Sequence, residues 1–121
     1  MERISEAEAA VMAVLWDASP LTALDIVERV PAARRWSANT VRTLLARLVT
    51  KQIVAHEADG RRYIYRPLVA RDDYVAKVST GLIDSLFGGR VSPLIAHLVR
   101  RETLSAEERA EIQALLKDLE A

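Results

Sequence analysis

The sequence predicts a mainly α chain carrying one small β-hairpin. Three features lead to it. An apolar stripe at helical spacing begins soon after Trp36, an Asp59-Gly60 pair separates two β-prone runs, and serine or threonine cap signals head successive helical patterns.

Taken in order, Ser5-Glu6-Ala7-Glu8 reads as a capping box, in which a serine receives an early helical N–H and a glutamate three residues on returns the bond. It opens a first helix whose Val11, Met12, Val14, Leu15 and Trp16 give a broad apolar face. Asp17 to Pro20 breaks it. Thr22-Ala23-Leu24-Asp25 repeats the cap, and Leu24, Ile26, Val27 and Val30 predict a short buried helix that Pro31 helps to stop. After a linker from Pro31 to Arg35, Ser37 caps the third helix. There Val41, Leu44, Leu45, Leu48 and Val49 fall at i, i+3, i+4, i+7 and i+8, which places them on a single stripe. Asn39, Thr40, Arg42, Thr43, Arg47 and Thr50 occupy the other side. Two strands follow, Ile53 to Glu57 and Arg62 to Arg66, joined by Ala58-Asp59-Gly60-Arg61, where glycine accepts the positive φ of a tight turn. Helix, short helix, amphipathic helix and hairpin, in that order, describe a winged helix-turn-helix over residues 1–68.

Residues 69–121 differ in character. Asp72-Asp73 acidify a helix start, and Tyr74, Val75, Val78, Leu82, Ile83 and Leu86 recur at helical spacing up to Gly88-Gly89. Ser92-Pro93 reads as a cap followed by a first-turn proline, opening Leu94, Ile95, Leu98 and Val99. A further capping box at Ser105-Ala106-Glu107-Glu108 opens Ile112, Leu115, Leu116 and Leu119. So short a helical segment buries little core by itself, so its stripes call for a partner surface. A second copy of the chain fits best. A dimer interface is therefore expected at Tyr74, Val78, Leu82, Leu86, Leu94, Leu98, Ile112, Leu115, Leu116 and Leu119.

Composition narrows the function. Half of the 121 residues are apolar and 28% are charged, which suits a folded chain. With no cysteine there is no disulfide, thiolate metal site or thiol catalysis. No apolar run approaches the roughly 18 residues that cross a bilayer, and the amino end does not read as a signal peptide, so a cytoplasmic protein without membrane insertion is expected. Net charge is zero, but its distribution is uneven: residues 1–33, 34–66, 67–101 and 102–121 balance at −4, +6, +2 and −4. A basic centre between acidic ends is a footprint for local phosphate contact.

The expected DNA-contacting residues are Ser37, Asn39, Thr40, Arg42, Thr43 and Arg47 on the third helix, Lys51 after it, and Arg61 and Arg62 in the hairpin. Hydroxyls and backbone N–H groups at the helix start suit phosphates, and Arg42 is the residue best able to reach a guanine edge. Arg66 is a weaker candidate. Trp16 and Trp36 read as packing residues, as do Tyr63 and Tyr65 on one strand face. His56 and His97 lack companions for a metal site, and the serines are mostly explained as caps. No metal, cofactor or catalytic residue is expected, and no enzyme.

The ordered combination of several segments resembles the penicillinase-repressor (BlaI/MecI) family of bacterial winged-helix repressors, relatives of the copper-responsive CopY repressors. Those segments are Ile4-Ser5-Glu6-Ala7-Glu8, residues 11–16, Leu21-Thr22-Ala23-x-Asp25-Ile26-Val27, Trp36-Ser37, residues 40–49 and Asp59-Gly60-Arg61-Arg62-Tyr63-x-Tyr65. Leu86-Phe87-Gly88-Gly89 and Leu104-Ser105-x-Glu107-Glu108 fit the family's dimerisation region, so the likeness covers nearly the whole chain. It implies a homodimer on a palindromic operator in double-stranded DNA that blocks transcription, in antibiotic- or stress-responsive regulation of the β-lactamase type. In the penicillinase branch it also implies a sensor-protease pathway that cleaves the dimerisation region. Three positions depart from the pattern: His97-Leu98 replaces the Asn-Phe cleavage pair, the Cys-x-Cys copper motif is missing, and Asn39 replaces a common lysine. Two other readings compete. A winged-helix protein-interaction module would not need the basic centre, and a repressor sensing a small molecule directly would need a polar pocket.

Overall fold

The computed structural model describes residues 3–120. The chain divides into two compact units, with the boundary between Ala76 and Lys77.

In the first unit, α1 (Glu6–Asp17) starts at the predicted box: the Ser5 hydroxyl accepts the Glu8 N–H at 3.1 Å, and the Glu8 carboxylate accepts the Ser5 N–H at 3.1 Å. The same reciprocal pair, Thr22 with Asp25, starts α2 (Ala23–Arg29). The expected linker contains one 3-10 turn, Ala32–Arg34, after which Arg35 takes a left-handed φ of 52° and turns the chain into α3 (Ala38–Thr50). Val41, Leu44, Leu45 and Leu48 of α3 are buried against Val11, Met12 and Leu15 of α1 and Ile26 of α2. Leu24, expected inside, is 58% exposed, because a seven-residue helix has only one inward stripe and Ala23, Ile26 and Val30 fill it.

Strands β1 (Val54–Asp59) and β2 (Arg62–Pro67) pair antiparallel from Val54↔Pro67 to Asp59↔Arg62. The connection is tighter than the expected four residues. Ala58 and Asp59 join the strand, leaving Gly60-Arg61 as a two-residue loop with Gly60 at φ 66°, the first-position geometry that primed hairpin turns require. Leu21 adds a bridge to β2 through its N–H to the Tyr65 carbonyl (3.1 Å) and the Tyr65 N–H to its own carbonyl (2.8 Å). This bridge fastens the hairpin to the segment between α1 and α2.

The unit extends past the expected limit at residue 68 into the first turns of α4 (Arg71–Phe87). The Trp16 indole N–H donates to the Val69 carbonyl at 2.9 Å, and the Trp16 ring meets the Tyr74 ring at 5.7 Å. Tyr74, 8% exposed, is thereby corrected from interface residue to packing residue of the first unit. Its ring is already covered within one copy of the chain.

The second unit takes in the rest of α4, α5 (Val91–Arg100) and α6 (Ala106–Glu120). Gly88 and Gly89, at φ 60° and 78°, end α4, and the Gly89 N–H closes on the Ile83 carbonyl at 3.1 Å. Helix α5 begins at Val91, so Ser92 lies in its first turn rather than capping it. Among the described residues from Lys77 onward none is buried: Leu86, Leu115, Leu116 and Leu119 are 67, 64, 56 and 83% exposed, and Val78, Leu82, Leu94, Leu98 and Ile112 are half-covered. No single helix is long and apolar enough to cross a membrane.

Candidate nucleic-acid interface

Helix α3 buries one face and turns the other to solvent, and short polar bonds organise its exposed face. The Ser37 hydroxyl accepts the Thr40 N–H at 3.2 Å and lies 3.1 Å from the Thr40 hydroxyl. One turn on, the Asn39 side-chain oxygen accepts from Arg42 Nη1 at 3.2 Å, while the Thr43 hydroxyl donates to the Asn39 carbonyl at 3.0 Å. Asn39 therefore braces the arginine that follows it. Arg42 leaves the helix with a neutral partner, so its positive charge is not cancelled. Ser37, Asn39, Thr40, Arg42, Thr43 and Arg47 are all exposed. The structure thus brings the six α3 candidates onto one surface, headed by the N–H groups of a helix start, which attract anions.

The hairpin supplies the second part. Arg61 sits exposed in its two-residue loop. Arg62 lies 3.4 Å from Asp59 in a solvated pair, and Arg66 is paired with Glu57 on the same pair of strands. Arg61 is thus the hairpin cation best placed to meet a phosphate, ahead of Arg62, while Arg66 is largely neutralised.

Lys51 is corrected. Its Nζ lies 2.9 Å from both carboxylate oxygens of Glu8 and 3.0 Å from the Arg3 carbonyl. A carboxylate as buried as Glu8, whose side chain is 3% exposed, needs a counter-charge, and the end of α3 delivers one to the start of α1. Burial pushes the Glu8 carboxyl up, but the hydrogen bonds from Lys51 and Ser5 outweigh it and hold the group below its ordinary range. Lys51 is an internal strut rather than a phosphate ligand.

A third support has almost no signal in the sequence. Arg34 pairs with Glu6 and places its guanidinium carbon 4.8 Å from the centre of the Trp36 ring, tying the approach to α3 onto the start of α1. An arginine and a tryptophan two residues apart are its only trace. Among the described residues no three His, Asp or Glu side chains gather in a way that could hold a metal ion.

The family model described as penicillinase repressor matches residues 4–118. The chain is 28% identical over 116 residues to the penicillinase repressor of Bacillus licheniformis, covering 96% of this chain and 91% of that one. It is 33% identical over 113 residues to the methicillin resistance regulatory protein MecI of Mammaliicoccus sciuri, covering 93% and 92%. Among solved structures it is similar to the monomeric form of Bacillus licheniformis BlaI in complex with the blaP half-operator. That match has a TM-score of 0.51 and 33% identity, over 60% of this chain and 89% of that one. Capped helices, basic α3 face and hairpin agree with these likenesses, and a family match running from Ile4 to Asp118 decides the matter: the chain belongs to the penicillinase repressor family of winged-helix repressors.

Proposed function

We propose that the protein is a transcriptional repressor that binds a dyad-symmetric operator as a homodimer, with α3 in the major groove and the hairpin against the flanking backbone. One observation carries the DNA half of this reading: the exposed face of α3, from Ser37 to Arg47, contains no carboxylate and presents two arginines outside any ion pair with the described residues. The solved relative bound to a half-operator supports the same use of the fold. Family membership makes the protein a repressor and not an enzyme.

The dimer half rests on residues 77–120. Their leucines are exposed in the single copy, and two symmetric copies would cover them while matching the two halves of a palindrome. Relatives named for penicillinase and methicillin resistance support a role in antibiotic-responsive regulation, acting where the chromosome is, in the cytoplasm. A sensor-protease pathway acting at the usual position would meet a different residue pair. His97-Leu98 stands in place of Asn-Phe, inside α5, where the helix must open before a protease can take it as an extended strand.

Fluorescence anisotropy tests the reading, using the duplex upstream of the protein's own coding sequence against a scrambled duplex, across a salt series. Tight, salt-dependent preference for the promoter at two chains per site is expected. Weak binding that ignores sequence would overturn it in favour of a protein-interaction module.

A further inference from the structure

The hairpin has two chemically different faces. Antiparallel register and strand alternation put Val54, His56 and Ala58 on one face with Tyr63, Tyr65 and Pro67. That face has no carboxylate. Glu57, Asp59, Arg62 and Arg66 are all on the other, where they pair with one another.

The aromatic face packs inward at one end and runs out of core at the other. Val54 is buried and Tyr65 is packed partly against the core, but Tyr63 is 53% exposed and His56 is exposed as well. The Tyr63 ring meets His56 edge-on, with centroids 5.1 Å apart and planes at 76°, and His56 lies 6.1 Å from Tyr65. This contact fixes the Tyr63 ring while leaving much of it in solvent. Strand β1, which carries His56, also packs against α3. Tyr65, Tyr63 and the hairpin loop follow one another along this face.

We propose that the Tyr63 hydroxyl donates a hydrogen bond to a DNA phosphate lying between the groove that receives α3 and the phosphate met by Arg61, and that His56 is the positioning residue for its ring. This rests on the DNA-binding reading above. A phenol held on two torsions by a neighbouring ring loses little freedom when it docks, and the hairpin face around it has no carboxylate to repel a phosphate.

Tyr63→Phe keeps the ring and its contact with His56 and removes only the donor. On the promoter duplex and the scrambled duplex alike, the variant should bind about tenfold more weakly, as expected for a lost bond to a charged acceptor. The slope of log K against log salt should stay the same, since no charge is removed. A scan with single methylphosphonates should reveal one position that weakens the wild type but not Tyr63→Phe. His56→Ala should lose affinity, become insensitive at that same position, and add nothing further when combined with Tyr63→Phe. Wild-type affinity in Tyr63→Phe, or a loss tied to no single phosphate, would overturn the proposal while leaving the DNA-binding reading intact. If the wild type binds neither duplex, the DNA-binding reading itself fails and this inference falls with it.

Discussion

Lys51 closes on Glu8 with Nζ 2.9 Å from each carboxylate oxygen, joining the C-terminal end of α3 to the first turn of α1. Glu8 simultaneously accepts the Ser5 N–H of its capping box, so one buried carboxylate serves both a local helix start and a tertiary contact. Removing its cation strands the charge in the interior. Lys51→Ala should therefore destabilise the protein by about 3 kcal/mol, the usual cost of breaking one side of a buried pair. Urea unfolding measures this, and a loss under about 1 kcal/mol would place the pair among ordinary surface bridges.

The same carboxylate sets an acid limit. Desolvation acts to raise Glu8, yet the bonds from Lys51 and Ser5 bring it below the ordinary glutamate range in the folded chain. A carboxyl lowered on folding adds stability that is complete above its unfolded pKa and is lost as pH falls through its folded pKa. Glu6, lowered by its hydrogen bond with Arg34, and Asp25, lowered by the Thr22 backbone and hydroxyl, act in the same direction. Thermal unfolding temperatures should fall as pH drops below about 4.5, and Glu8→Gln should make that fall shallower. Parallel wild-type and Glu8→Gln profiles would remove Glu8 from the acid response.

Arg42 and Arg61 should separate base reading from backbone contact. Arg42 projects from α3 with Asn39 bracing its guanidinium, so Arg42→Ala should cost about 1–3 kcal/mol and relax base preference in the promoter duplex. Arg61 sits in the hairpin loop, and Arg61→Ala should weaken promoter and scrambled duplexes equally and reduce the salt slope by about one. Anisotropy over a salt series reads both. Unchanged preference in Arg42→Ala would mean that it touches phosphate only.

What the sequence makes legible is what is encoded over a few residues. The Ser5 box, the α3 stripe and the hairpin signal at Asp59-Gly60 are short-range patterns; the first two form as expected, and the hairpin forms with its loop tightened to Gly60-Arg61. The exposed α3 residues can be read for the same reason, since a helical face follows from spacing alone. The Lys51 and Tyr74 corrections involve partners distant in sequence. Lys51 meets Glu8 across 43 positions and Trp16 meets Val69 across 53, and no local period announces either contact. Tyr74 misleads because its helical spacing suits an interface and a core equally well. The Leu21 bridge is invisible in the sequence because a single paired residue has no alternation to detect.

The second unit gives the remaining prediction. On α6, Leu115, Leu116 and Leu119 are 64, 56 and 83% exposed, more than α6 could leave in water without cost if the chain were a monomer. A carboxylate placed among them would lose its hydration when two copies meet, with no cation supplied by the leucines around it. Leu115→Asp should therefore weaken self-association by about 100-fold, roughly 2.7 kcal/mol, while the winged-helix unit keeps its fold. Sedimentation velocity over a dilution series reads the first effect, and near-ultraviolet dichroism of Trp16 and Trp36 reads the second. The half-site affinity of the variant should match that of one wild-type protomer, because α3 and the hairpin lie in the other unit. An undiminished dimer would move the interface off this face of α6 and onto the remaining half-covered residues of α4 and α5.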